Sequence, residues 1–120
     1  MRILPILMAM TCIAPLEATA ANLGWLKGSI LEKYTERDRV ILGGELLNAV
    51  EFQPDGVSTT WWNAETGHWG VITPLERSRQ DDADCRRVKV ENYLGARKGV
   101  TTYTVCRRPG TDWMLAGIGS

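Results

Sequence analysis

The sequence predicts a small α+β domain, with one or two N-terminal helices packed on a five-stranded antiparallel β-meander. Helical periodicity and a helix-capping pattern are confined to residues 23–51. Beyond Pro54–Gly56, glycines, β-branched residues and aromatic residues recur at the short spacing typical of strands joined by turns. Two cysteines, Cys85 and Cys106, lie symmetrically about the step from residue 95 to 96, which predicts a cross-linked hairpin.

The first 20 residues are expected to be a secretory signal, leaving residues 21–120 as a single domain. Arg2 precedes a short apolar run, and Ala18–Ala20 has the small residues that flank a leader cleavage site. The run is shorter than the roughly 20 apolar residues of a membrane span. An uncleaved anchor or a buried helix is therefore the weaker interpretation, and no transmembrane segment is expected in the mature chain.

The residues before Cys12 do not match a lipoprotein signal, so lipidation is not expected. We expect an exported protein of the periplasm or one associated with the outer membrane. The chain has 14 basic and 14 acidic residues, but they are unevenly distributed. Residues 85–108 carry a net charge of +6 and residues 21–84 a net charge of −5. This balance argues against a nucleic-acid-binding protein. The basic hairpin could face an anionic envelope surface or an acidic partner. The favoured interpretation is that it is neutralised by the acidic first half or is simply solvated.

Apolar residues at helical spacing predict a first, amphipathic helix over residues 23–34, although two glycines weaken it. Thr35 and Asp38 then have the spacing of a capping box, in which each side chain accepts a hydrogen bond from the other residue's backbone N–H. The capping box predicts that the main helix covers residues 36–51.

One face of the main helix is predicted to carry Val40, Leu47 and Val50 together with Gly43 and Gly44. A glycine inside a helix costs about 1 kcal/mol relative to alanine. Close packing of this face against the sheet would offset that cost.

The second half of the chain predicts five short strands and the turns between them. We place the strands near residues 57–63, 68–73, 85–92, 100–107 and 112–117. Asn63–Gly67 is the first turn, because Asn and Gly tolerate the required backbone angles. Residues 75–84 are strongly charged and are expected to form a loop.

The hairpin that contains Cys85 and Cys106 has a predicted pairing for each residue. Folding it between residues 95 and 96 places Cys85 opposite Cys106 and Val88 opposite Tyr103. Directly opposite residues have Cα atoms about 4.5 to 5.5 Å apart, a distance compatible with a disulfide. A redox or metal-binding pair is the alternative, but the chain has no CxxC spacing and a single histidine. We therefore predict a structural disulfide.

Several short motifs resemble the C-terminal domain of the bacterial surface-antigen family, which includes the rickettsial 17 kDa outer-membrane antigen. The matching residues are Trp61, Asn63, Thr66, Gly67 and Gly70, then Cys85-Arg86, Cys106-Arg107 and Trp113. The helix start at Thr35 and Asp38 also resembles the segment that precedes this domain. The resemblance implies an envelope location and a disulfide-bonded module, and it implies no established chemistry.

The chain departs from the family pattern at several points. Ala64 stands where many members have proline, and Arg87 and Val88 replace an acidic and an aromatic residue. The lipobox and the glycine-rich zipper of many members are missing. These last two differences favour a soluble periplasmic form.

Few residues suggest catalysis or metal binding. His68 is the single histidine, and Glu65 and Thr66 beside it make a weak constellation for a general base. Another acidic group consists of Asp81, Asp82 and Asp84. Its spacing does not match an EF-hand. We expect no catalytic residue, no metal and no cofactor.

The tryptophans are the more informative candidates. Strand alternation sends Trp61 and Trp62 to opposite faces of a sheet, so one is expected in the core and the other at the surface. Exposed aromatic side chains stack on sugar rings or anchor protein partners, although filling a small core is the alternative. The candidate binding surface comprises Trp61, Trp62, Trp69, Arg87 and Lys89.

These observations favour a non-catalytic module of the cell envelope that binds an envelope protein or an anionic envelope polymer. The alternative is a secreted inhibitor or immunity protein against a periplasmic cell-wall hydrolase, a task that suits a small disulfide-bonded domain. A small enzyme acting on envelope glycans has the least support. Glycoside hydrolysis generally needs two carboxylates at a defined separation, and the sequence places no such pair.

Overall fold

The structure is a computed structural model that describes residues 30–119. A 3-10 turn, Leu31–Lys33, leads into the helix α1, Glu36–Phe52. The strands that follow are β1 Thr59–Trp62, β2 Trp69–Gln80, β3 Ala83–Leu94, β4 Arg97–Arg107 and β5 Met114–Gly119. They form one antiparallel sheet in the order β1-β2-β3-β4-β5. The predicted five-stranded meander and main helix are confirmed.

The predicted first helix over residues 23–34 falls mostly outside the described residues. Its last part is the 3-10 turn, where Leu31 is buried against the core. Within the described part of the chain, no helix is long and apolar enough to cross a membrane.

Helix α1 begins where the capping box predicted. The Asp38 N–H donates to Thr35 Oγ1 at 3.0 Å, and the Thr35 N–H donates to Asp38 Oδ2 at 2.8 Å. Two N–H groups that the first turn leaves without helical partners are satisfied in this way.

The buried face of α1 differs from the prediction. It consists of Asp38, Leu42, Gly43, Leu46, Ala49 and Val50. Val40 is 42% exposed and Gly44 is at the surface, so their placement on the packed face was wrong. A helix turns about 100° per residue, so Asp38, Leu42 and Leu46 align in a stripe from which Val40 points away. This stripe packs over β1 and β2.

The charged segment 75–84 is not a loop, and that prediction was wrong. Strand β2 continues to Gln80, and β3 begins at Ala83 after a tight turn in which Asp81 has a φ of 55°. The charged side chains pair across the extended hairpin, as Arg79 and Asp84 do at 2.6 Å. Ladder hydrogen bonds and cross-strand ion pairs allow a solvated ribbon to form without apolar alternation.

The sheet has two different faces. The inner face lies under α1 and holds the buried core side chains Trp61, Ile72, Val88, Val90, Tyr103 and Val105. The opposite face, called the outer face below, carries the alternate residues of each strand. Cys85, Arg87 and Lys89 lie on it because they alternate with Val88 and Val90 along β3.

The β3–β4 register matches the prediction. Cys85 pairs with Cys106, Val88 with Tyr103 and Val90 with Thr101. The Cα atoms of the two cysteines are 4.0 Å apart, and their sulfurs are bonded. The disulfide therefore joins neighbouring strands on the outer face.

Removing the cross-link with the double substitution Cys85→Ser and Cys106→Ser should lower the free energy of unfolding by about 3 kcal/mol, mainly because the unfolded chain gains loop entropy. Urea denaturation of the oxidised protein and of the double variant measures the difference. Mass measurement with and without reductant should show a change of about 2 Da for one bridge. Equal masses would contradict the bond.

Candidate functional site

The first residue cluster lies at the N-terminus of α1, where Asp38 is fully buried. Besides the capping box, its carboxylate accepts hydrogen bonds from the turn that joins β1 to β2. Asn63 Nδ2 and Thr66 Oγ1 both donate to Oδ1 at 2.8 Å, and His68 Nδ1 lies 2.8 Å from Oδ2. One carboxylate thus holds the helix start and the first β-turn together.

The turn itself is closed by its own backbone. The Gly67 N–H donates to Asn63 O at 2.8 Å, and the Asn63 N–H donates to His68 O at 3.0 Å. Gly67 has a φ of 79°, a left-handed angle that favours glycine. We call residues 63–68 the Asp38-bound turn. Trp62 immediately precedes it and Trp69 immediately follows it.

The Asp38 carboxylate is strongly ionised. Burial by itself disfavours the charged form. The hydrogen bonds from His68, Thr35 and the rest of the cluster outweigh burial and hold the pKa of Asp38 far below its usual range. The cluster is therefore built around a negative charge.

Tyr34 links the cluster to the sheet. Its ring stacks on His68 with centroids 5.2 Å apart and meets Trp61 edge-on at the same distance. Its hydroxyl donates to Tyr93 O at 2.7 Å, with Trp69 O at 3.5 Å. Burial, followed by the nearby Asp38 charge, raises the pKa of the Tyr34 phenol well above its usual range, so it stays a neutral donor.

The second cluster lies at the C-terminus of α1. The Arg86 side chain is 1% exposed and donates to Ala49 O at 3.2 Å and to Val50 O at 2.9 Å. Both carbonyls lie in the last turn of the helix, where Ala49 O also accepts the Gln53 N–H at 3.1 Å. Arg86 also donates to Leu75 O and to the Asp55 carboxylate, so each of the three nitrogens of its buried guanidinium is hydrogen-bonded.

Two further arginines bind this helix end, and the first, Arg77, donates to Val50 O and to Glu51 O at 3.1 Å each. Arg107 binds Glu51 with two hydrogen bonds of 2.7 and 2.9 Å, and its guanidinium lies 4.6 Å from the centre of the Trp113 ring. Trp113 Nε1 donates to the same carboxylate at 3.1 Å. The bond from Arg107 is the main cause that lowers the pKa of Glu51.

These contacts give a structural role to most residues of the surface-antigen motif. Asn63 and Thr66 bind Asp38, while Arg86, Arg107 and Trp113 secure the far end of α1.

Gly70 is required because a Cβ there would overlap the Trp61 indole and the Asn92 side chain. Trp61 Nε1 donates to Asn92 Oδ1 at 3.0 Å. The motif therefore fixes the helix on the sheet.

The outer face carries a row of cross-strand neighbours at one end of the sheet. Trp62 pairs with Trp69, Trp69 with Tyr93, and Tyr93 with Lys98. We call these four residues the aromatic row. The rings of Trp69 and Tyr93 stack at 4.2 Å and 7°, and Lys98 Nζ lies 5.6 Å from the centre of the Tyr93 ring. Trp62 is 62% exposed and Trp69 is 39% exposed.

Charged groups border this row. Glu91 lies two residues before Tyr93 on β3, with Lys98 Nζ at 3.5 Å and Lys89 Nζ at 4.0 Å from its carboxylate oxygens. Two lysines therefore share one carboxylate. Arg87, which precedes Glu91 on β3, forms an ion pair with Glu76 at 2.8 Å.

The candidate surface predicted from the sequence is divided by the structure. Trp62, Trp69, Arg87 and Lys89 lie on the outer face. Trp61 is buried under α1 and does not belong to this surface, because it alternates with Trp62 along β1. Tyr93 and Lys98 join the surface instead. Their cross-strand register was available from the predicted hairpin, but their stacking against a third strand was not.

The other candidates are placed as follows. His68 is bound to Asp38, thirty residues away, and not to its sequence neighbour Glu65. Asp81 and Asp82 form the exposed β2–β3 turn, and Asp84 pairs with Arg79. Among residues 30–119, no three His, Cys, Asp or Glu side chains come together as a metal site would require.

The sequence was compared with known proteins. It is 28% identical over 81 residues to the 17 kDa surface antigen of Rickettsia bellii, and 26% identical over 81 residues to those of Rickettsia conorii and Rickettsia rickettsii. The aligned part is 67% of this chain and 51% of each antigen, so the chain spans about half the length of these curated relatives. No family model matches, and no solved structure matches. The chain is similar to rickettsial surface antigens, in agreement with its motif residues.

The roles of the two neighbouring arginines of β3 can be separated. Arg86→Ala should lower the free energy of unfolding by about 2–4 kcal/mol, because it removes a buried side chain and its hydrogen bonds to the end of α1, to Leu75 O and to Asp55. Arg87→Ala is the matched control and should leave the urea midpoint unchanged, since its ion pair is exposed. Equal effects of the two substitutions would contradict the structural role of Arg86.

The Asp38 cluster predicts a specific dependence of stability on pH. The folded pKa of Asp38 is depressed, so its contribution is complete above the unfolded pKa of about 3.9 and is lost as pH falls toward the folded value. The stability difference between wild type and Asp38→Asn should therefore be largest at neutral pH and should shrink below about pH 4. Urea denaturation across this range checks it. A difference that stays constant with pH would contradict an ionised Asp38.

Proposed function

We propose that this chain is a non-catalytic module of the bacterial cell envelope that binds another envelope component through its outer face. The similarity to rickettsial proteins named surface antigens supports the location. The observation that carries the binding role is the aromatic row. Small domains usually bury their tryptophans at least in large part, yet Trp62 is 62% exposed on a sheet face that α1 does not cover.

The buried clusters support a structural role for the remaining polar residues. A histidine held by a buried carboxylate also occurs in hydrolases, where the carboxylate orients a general base. Here the same carboxylate caps a helix and binds Asn63 and Thr66, while the imidazole stacks on Tyr34. We assign the Asp38–His68 pair to holding the turn.

The proposed location is supported by the sequence features. In this proposal the chain is exported by a signal within residues 1–20, is cleaved after Ala20, and is not lipidated. It works in the periplasm or in association with the outer membrane, where the Cys85–Cys106 bond is stable.

Site-specific photo-crosslinking in the bacterium that produces the protein tests the binding role. Trp62→p-benzoylphenylalanine places the crosslinker on the aromatic row. The matched control is Phe52→p-benzoylphenylalanine, since Phe52 is 75% exposed on the helix side of the sheet. We expect an envelope component to be crosslinked from position 62 and not from position 52.

Two results would contradict the proposal. One is the recovery of no envelope component from position 62, or of the same products from both positions. The other is robust turnover of a cell-wall substrate by the purified protein that is abolished by His68→Ala in a variant that still folds.

A further inference from the structure

We infer that the aromatic row is a preorganised binding site for an acidic glycan, an inference that rests on the proposed role of the outer face in binding an envelope component. The row crosses four strands at right angles to their direction. Three strand spacings give it a length of about 14 Å, enough for a few linked sugar rings. Its exposed end is the pair Trp62 and Trp69 on β1 and β2.

The position of the row is fixed from beneath. Trp62 and Trp69 flank the Asp38-bound turn. Side chains of this turn are hydrogen-bonded to the buried carboxylate of Asp38. The Tyr34 hydroxyl donates hydrogen bonds to the backbone carbonyls of Trp69 and Tyr93. The rings of these two residues stack on the outer face. Because these backbones are held on the core side, the backbone part of the ordering entropy lost on ligand binding is reduced.

The chemistry around the rings suits a sugar. Pyranose rings present C–H faces that pack on indoles, and their hydroxyls need donors and acceptors close to the stacking surface. Glu91 supplies acceptors beside the row, and Lys98 supplies a donor at its end. A protein partner is a poorer fit, because the centres of protein interfaces are depleted of lysine and glutamate.

The charge balance favours an acidic sugar over a neutral one. Among the ion pairs of residues 30–119, Lys89 and Lys98 share the single carboxylate of Glu91, which leaves one positive charge uncompensated next to Tyr93. A carboxylate on the glycan would supply the missing partner. Both lysine side chains are partly exposed, so they reach a ligand without leaving the sheet.

Calorimetric titration of the full, oxidised chain with two probes tests the inference. The acidic probe is an alginate hexasaccharide, and the neutral probe is cellohexaose. We expect the alginate oligomer to bind more tightly, with an affinity that falls as salt is added. Trp62→Ala should weaken binding about tenfold through loss of the stacking surface. Phe52→Ala is the control of similar exposure and should bind as wild type does.

A substitution of Lys98 tests whether its positive charge contributes to binding of the acidic sugar. Lys98→Gln should weaken binding of the acidic probe about fivefold and leave any binding of cellohexaose unchanged. Lys33→Gln, an exposed lysine before α1, is its control. Circular dichroism and the unfolding midpoint establish that each variant is folded, and Trp62 is exposed enough for Trp62→Ala to retain the fold.

Each other outcome is decisive. Absence of alginate binding, or alginate binding that Trp62→Ala leaves unchanged, overturns the inference. Equal affinities for the two probes overturn the assignment to an acidic sugar. If no sugar binds while a protein is crosslinked from position 62, the glycan inference fails and the proposed envelope-binding function stands. If nothing binds and nothing is crosslinked, both fail.

Discussion

The buried carboxylate of Asp38 is the constraint on which the rest of the structure depends. A buried charge is tolerated only when hydrogen bonds replace the water it has lost. Asp38 obtains them from its own helix start and from the turn that joins β1 to β2. Satisfying one charge therefore dictates where the helix begins, where the turn lies and how the two are placed on each other.

At the opposite end of α1 the buried charge is a cation, and it too is compensated by hydrogen bonds. Arg86 enters the interior to bind helix-end carbonyls, and Arg107 holds Glu51 beside Trp113. The helix carries two adjacent glycines, each of which costs about 1 kcal/mol of helix propensity. Its position thus relies on anchors at both ends in addition to its apolar stripe, and the residues that carry the resemblance to surface antigens are mostly these anchors.

Local patterns were readable from the sequence, and distant polar contacts were not. The capping box and the Cys85–Cys106 register depend on spacing within one segment, so both were predicted correctly. The bond from Asp38 to His68 joins residues 30 apart and depends on how the helix lies on the sheet. Arg86 is likewise buried against the usual preference of arginine. Residues 75–84 were misassigned because a ribbon solvated on both faces lacks apolar alternation.

Anchoring and exposure are connected in this fold. The turn that Asp38 holds is also the segment from which Trp62 and Trp69 project to the other side of the sheet. Buried residues that match the surface-antigen motif thus determine the geometry of a surface made of residues outside it.

Native-state hydrogen exchange of Thr66→Val against wild type tests this dependence most directly. Valine keeps the shape of threonine and removes the hydroxyl, which donates to Asp38 Oδ1 at 2.8 Å and accepts the weaker bond from the His68 N–H at 3.2 Å. The account predicts faster exchange of the Asn63 and Gly67 amides, with the amides of Val88 and Val90 unchanged. Unchanged exchange in the turn, or equal acceleration throughout the sheet, would contradict the claim that Asp38 holds this turn.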